Sequence, residues 1–376
     1  MAGDWKLELG AQPTAAGVRF RVWAPRVRSL ALRLTGSDRT VPMERGDDDI
    51  YQATVSGAAP GTDYFYLLDA ERLRPDPVSR WQPHGVHGPS RVVEPGDFAW
   101  TDAGWRGPPL EDYVLYELHV GTFTPEGTFA AAISKLDHLV ALGVTAVELM
   151  PVVEFPGSRN WGYDGVQLYA PHSAYGGPAG LKQLIDACHR RGLAVVLDVV
   201  YNHLGPEGNY LGEYGPYFGA AYRTPWGDAL NFDGPDSDPV RRFFIDNALY
   251  WVDEFHVDAL RLDAIHGIYD FSARHVLAEL GEAVHAHAAR LSRRAFLIAE
   301  SDLNDARVIR PAGAGHGLDA QWSDDFHHSV HSVLTGARRG YFADFGRVDD
   351  VAKAVTQGFV YDGRHSRYRR RRHGNP

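Results

Sequence analysis

One cysteine, Cys188, stands in 376 residues, so an internal disulfide is excluded and the compartment leans to the cytosol. No apolar run reaches membrane-spanning length, and the opening MAGDWKLELGAQP lacks the apolar core of a secretory signal. Excess positive charge is lacking too: a net charge of −10 argues against nucleic-acid binding by the body of the chain. The expectation is a soluble, cytoplasmic protein with neither a membrane nor a nucleic-acid partner. Aromatic residues, by contrast, are abundant, with nine Trp among them. They suit stacking against sugar rings and serve core packing equally well.

At 376 residues the chain is expected to hold two domains. Residues 1–100 predict a small N-terminal immunoglobulin-like β-sandwich. Val18, Phe20 and Val22 alternate with Arg19 and Arg21, and LALRL (30–34) and YFYLL (64–68) follow between turn-forming clusters. Residues 69–109, rich in Pro, Gly and Arg, read as linker and surface loop. Beyond residue 111 apolar strands alternate with helical patterns. Residues 128–143 predict one helix with Phe129, Ile133, Leu136 and Val140 on its buried stripe. Asp238 and Pro239 predict the cap and first turn of another, striped by Val240, Phe244, Trp251 and Phe255. That alternation means parallel βαβ units, and charges at several successive strand ends favour a barrel over an open sheet. The fold expected is α/β: an incomplete (β/α)8 TIM barrel over residues 101–376, with about six of the eight strands, behind the sandwich.

The stretch VDALRLDAIH (257–266) organises the rest. Charge inside a short apolar strand is costly unless it is paired or used. Arg261 and Asp263 stand two apart and share one strand face. A guanidinium there keeps the carboxylate ionised and aimed, which suits a nucleophile and equally a structural ion pair. Two further strand ends favour the first: DVVYNH (198–203) and AES (299–301). Asp263 and Glu300 then face one mouth from neighbouring strands, about 4.8 Å apart laterally. A retaining glycosidase needs two carboxyls about 5 to 5.5 Å apart.

DVVYNH, RLD and AES, with NWGYD (160–164), resemble the ordered blocks of the α-amylase clan of retaining α-glucoside enzymes. Closer still, MPVVEFPGSRNWGYDGV, WSDDFHHSVH (322–331) and QGFVYDGRHSRYRRRRHG resemble the malto-oligosyltrehalose trehalohydrolase family, from about residue 5 to the last. The resemblance implies Asp263 as nucleophile, Glu300 as general acid/base and Arg261 as the group holding Asp263 ionised. It implies Asp198 and His203 as binders of the sugar hydroxyls, Asn202 as loop support and Tyr163 as a stacking platform. His266, Asp324 and Asp325 become subsite candidates, and His327 and His328 stand beside them. The close spacing of that last group also suits a metal, but the resemblance speaks against one there and implies no cofactor; in the clan the position of Asn202 often touches calcium. Each residue has a plainer reading: Tyr163 as a core aromatic, His203 as a satisfied loop histidine, Asp198 as structural. The substrate implied is malto-oligosyltrehalose, or maltodextrin more broadly, cut at the α-1,4 bond next to the terminal trehalosyl unit to release trehalose.

The sequence departs from the family after the sixth strand. No Asn-His-Asp block and no C-terminal β domain follow, so a truncated chain of weak activity is expected unless a second chain completes the barrel. The arginines between 364 and 372 read as a solvated, frayed tail. Two other functions share this plan: a glucan branching enzyme and a catalytically dead glucan-binding protein.

Overall fold

The computed structural model describes residues 5–37 and 39–375; the first domain's opening residues 1–4 and the final Pro376 lie outside them. Two antiparallel sheets form the N-terminal part. One holds Gly10–Thr14, Gly17–Trp23, Ile50–Val55 and Glu44–Arg45, in that order. The other runs Thr40–Pro42, Leu30–Leu34, Asp63–Leu68, Arg72–Arg74, with Ser90–Arg91 also paired to Asp63–Leu68. Alternation does what it predicts: Val18, Phe20 and Val22 are buried, as are Leu32, Tyr64, Tyr66 and Leu68. Phe20 and Tyr64 meet edge to face, ring centres 4.8 Å apart.

Residues 69–109 are not the surface linker their composition suggests. Asp76, Gln82 and Ser90 are fully buried. Asp76 accepts hydrogen bonds from the Tyr64 and Tyr66 hydroxyls at 2.7 and 3.1 Å. The Ser173 hydroxyl donates to the Gln82 carbonyl, and the Trp105 indole N–H to Asp258. The segment's polar groups find partners on both sides, so it docks the sandwich to the barrel instead of linking through solvent.

Six parallel strands make the curled barrel sheet: Leu115–Leu118, Ala146–Leu149, Ala194–Val199, Ala259–Leu262, Phe296–Ala299 and Ala320–Gln321. Ala146, Ala194, Val196, Ala259 and Ile298 form a separate cluster from the main core. They sit one layer below the charged ends of the same strands. The expected helix over 128–143 is two helices, Phe129–Ile133 and Leu136–Leu142. Its break falls where the Ser134 hydroxyl bonds back to the Ala131 carbonyl. Val140 is consequently 42% exposed instead of buried. The later helix runs Ser237–Glu254 with Asp236 as its cap residue, so Asp238 lies in the first turn, beside the positive dipole end, and caps nothing. No helix among the described residues is long and apolar enough to cross a membrane.

The arginine-rich end is not frayed. His365–Ser366 pairs with Arg371–Arg372, Arg367 bonds Asp344 at 2.8 Å, and Arg369 bonds Asp302 at 2.7 Å. Distant carboxylates pair with part of that charge: Asp350 with Arg364, Asp344 with Arg367 and Asp302 with Arg369.

Candidate active site

In a parallel strand every second side chain points into the barrel, and in-register neighbours point the same way. Asp198 is in register with Arg261, and Glu117 with Glu148. The upper inward layer therefore carries Glu117, Glu148, Asp198, Arg261, Asp263 and Glu300, supplied by five successive strands and the residues that follow them.

Arg261 is the hub. Its Nη1 donates to both Asp198 oxygens at 3.0 and 2.9 Å and to Asp263 Oδ1 at 2.8 Å. Its Nη2 lies 3.9 Å from Glu300 Oε2. Burial works against the Arg261 charge, but Asp198 and Asp263 outweigh it and raise its pKa. Asn202 Nδ2 donates to Asp263 Oδ2 at 2.9 Å and to the Asp263 carbonyl at 2.7 Å. Asp263 thus has one oxygen held by Arg261 and the other by Asn202, the support an ionised carboxylate needs.

Glu300 is placed differently. Its pKa is raised, chiefly by burial, with Arg261 pulling the other way. A raised carboxyl beside a supported carboxylate separates a proton donor from an anion. Asp198 is almost wholly buried and is pushed up to about 7 by that burial, against the pull of Arg261. Its Oδ2 also accepts the Tyr163 hydroxyl at 2.9 Å.

The structure brings Tyr163, Asp198, Asn202, Arg261, Asp263 and Glu300 together. His203 adjoins them through Asn202 and stacks on Trp226, ring centres 4.9 Å apart and 15° from parallel. His266 borders Glu300, and its Nδ1 is buried without a hydrogen-bond partner among the described residues. Asp324 shares a cavity of about 950 Å³ with Glu117, Glu148, Arg261, Glu300 and Trp322. Asp325, expected as a subsite residue, is not there. It is buried, and its Oδ2 accepts from Asn304 Nδ2 and from the Val360 and Tyr361 amides. His327 lines the cavity, whereas His328 stacks on Tyr341. No group of acidic, His or Cys side chains among the described residues has the arrangement of a metal site.

Sequence reasoning missed Glu117 and Glu148. Each is the one charge in an otherwise apolar strand, YEL and VEL, the same signal that singled out Arg261. Trp226, on the hairpin Phe218–Thr224 and Gly227–Leu230, was missed as well.

The family model of the α-amylase catalytic domain matches residues 93–222, and that of carbohydrate-binding module 48 (isoamylase N-terminal domain) matches residues 8–80. A malto-oligosyltrehalose trehalohydrolase of Arthrobacter ramosus is 52% identical over 361 residues, covering 95% of this chain and 63% of that one. One from Saccharolobus solfataricus is 49% identical over 359 residues, with the same two coverages. The chain therefore spans less than two thirds of the length of these curated relatives. A branching enzyme of Corynebacterium jeikeium is 31% identical, over 86% of this chain and half of its own. Among solved structures, a putative α-amylase of Salmonella typhimurium superposes with a TM-score of 0.90 at 44% identity, over 99% of this chain and 63% of that one.

Proposed function

We propose that the chain belongs to the α-amylase family, whose catalytic-domain model matches residues 93–222, and that its cleft hydrolyses α-1,4 glucosidic bonds with retention of configuration. The observation that carries this is the convergence of Asp263 and Glu300, from adjoining strands, on the single Arg261. Asp263, ionised and held by Arg261 and Asn202, attacks the anomeric carbon. The bond to the leaving oxygen breaks as Glu300 gives that oxygen its proton. Water then attacks the glycosyl ester, Glu300 takes the water's proton, and Asp263 leaves as the carboxylate. Asp198, His203 and Tyr163 face the bound ring, with His266 and Asp324 beside its neighbour. The support for these roles is the geometry around Arg261; the general acid needs the proton that burial helps Glu300 keep.

The substrate we propose is malto-oligosyltrehalose, cut beside its terminal trehalosyl unit to give trehalose and a shorter maltodextrin. Relatives of that name at 49% and 52% identity support it over the branching enzyme at 31%. We propose the cytoplasm as its place of work, on the lone free Cys188. The division into a β domain, 1–100, and a catalytic domain, 101–376, belongs to the same proposal. So does a second chain laid beside Ala320–Gln321, where Phe326 and Leu334 are 45% and 78% exposed.

The test is trehalose release from malto-oligosyltrehalose by the purified chain, with Glu300→Gln as control. Trehalose that disappears in the control supports the proposal. New branch points instead of trehalose would support the branching enzyme. Bound glucan that is never cut, alone or with a second chain added, rules hydrolysis out.

A further inference from the structure

Five carboxyls and one guanidinium face the upper layer, and the guanidinium is not shared evenly. Arg261 Nη1 is committed to Asp198 and Asp263, and Nη2 approaches Glu300. Glu148 is 2% exposed, and its Oε2 has no hydrogen-bond partner among the described residues. The register sets it beside Glu117 on one side and Val196 on the other, with Asp198 next above Val196 on the same strand face. A second anion in that gap, buried and without a donor, would cost several kcal/mol. It would also compete with Asp198 and Asp263 for the one positive charge.

We propose that Glu148 is a positioning residue that works as a neutral acid, filling the space between Glu117 and Asp198 so that Arg261 stays committed to Asp198 and Asp263. The groups facing it are Glu117 from the first strand, Asp198 from the third and Arg261 from the fourth; Asp263 and Glu300 lie beyond Arg261. Burial, then Asp198 and Glu117, push its carboxyl up to about 8 against the pull of Arg261. Asp198 rises too, but it accepts from both Arg261 and Tyr163 and so is the better anion of the two. For turnover this inference rests on the glycosidase reading; the charge on Glu148 can be read without it.

The experiment is urea unfolding of the full chain and of Glu148→Gln across pH 4.5 to 9. A folded-state pKa raised above the unfolded one makes the unfolded parent the better acid, so the parent loses stability as pH rises between the two values. The two proteins should begin to diverge near pH 4.5, where the unfolded glutamate ionises. Above it, the parent's unfolding constant should grow relative to the variant's by up to about tenfold per pH unit, levelling near pH 8. A difference that does not change with pH overturns the proposal. Should the variant not fold, carbon-13 titration of the parent with the Glu148 carboxyl assigned serves: a Glu148 midpoint near 8 is expected, and one below about 6 overturns the proposal. In chains that turn over glucan, Glu148→Gln should move the alkaline fall of kcat to higher pH, which loss of packing alone would not do. Absence of turnover in both proteins bears on the glycosidase reading, whereas flat stability curves bear on Glu148.

Discussion

The backbone N–H of Ala264 donates to Glu300 Oε2 at 2.6 Å, so the residue after Asp263 holds the carboxyl of the next strand. Ala264 reaches it from the left-handed region, φ 39° and ψ 52°. That conformation costs an L-residue with a Cβ about 1–2 kcal/mol.

Ala264→Gly should relieve this cost and raise stability by up to about 1 kcal/mol, the greater freedom of the unfolded glycine taking back part of the gain. Ala264→Val, β-branched in the same conformation, should lose about 1–2 kcal/mol. Urea midpoints at constant m-value test both, and equal midpoints for the two variants would remove the strain argument.

Arg261→Met should be far more damaging. It leaves Asp198 and Asp263 buried or half-buried with no countercharge, a loss of about 3–5 kcal/mol at neutral pH. The penalty should shrink as pH falls, because protonated carboxyls no longer need the guanidinium. Arg261→Lys keeps the charge but cannot serve three oxygens from one planar fork, so it should fall between parent and Met. Unfolding at pH 5 and pH 7 separates the three.

Asp198, Arg261, Asp263 and Glu300 were legible in the sequence because they end strands and share one face. Glu117 and Glu148 do the same, yet strands buried on both faces show no alternation, so YEL and VEL do not reveal which side the acid takes. The arginine-rich end was misread for another reason. Arg367 and Arg369 are matched by Asp344 and Asp302, 23 and 67 positions away, and composition carries no trace of such pairs. Residues 69–109 failed likewise: Pro and Gly mark turns, not exposure, and Asp76 is buried because Tyr64 and Tyr66 satisfy it.

Asp325 ties the helix Asp324–Thr335 to the strand-end loop at Asn304 and to the backbone at Val360 and Tyr361. Asp325→Ala strips two buried amides of their acceptor and should cost about 2–4 kcal/mol. Asp325→Asn keeps an oxygen there and should cost less. Hydrogen exchange at the Val360 and Tyr361 amides should quicken in the Ala variant. Unchanged exchange at both amides would show that the clasp does not hold this loop.

At the other end of the fourth strand, both ring nitrogens of His189 meet carboxylates: Nδ1 lies 2.8 Å from Asp102 Oδ2 and Nε2 2.9 Å from Asp258 Oδ2. Trp105 stacks on its ring at 4.7 Å. Arg293 and His256 reach Asp102 as well. Burial pulls the His189 pKa down, but the two carboxylates win and it is raised. A histidine raised on folding stabilises fully below its unfolded value, about 6.5, and loses that contribution as pH climbs through the raised folded value. His189→Gln should therefore be most destabilised relative to the parent near pH 6, by about 2–4 kcal/mol. The gap should narrow steadily into the alkaline range. A gap that stayed constant from pH 6 to pH 9 would mean that His189 is neutral in the fold, donating to one carboxylate and leaving the other to Arg293 or Trp105.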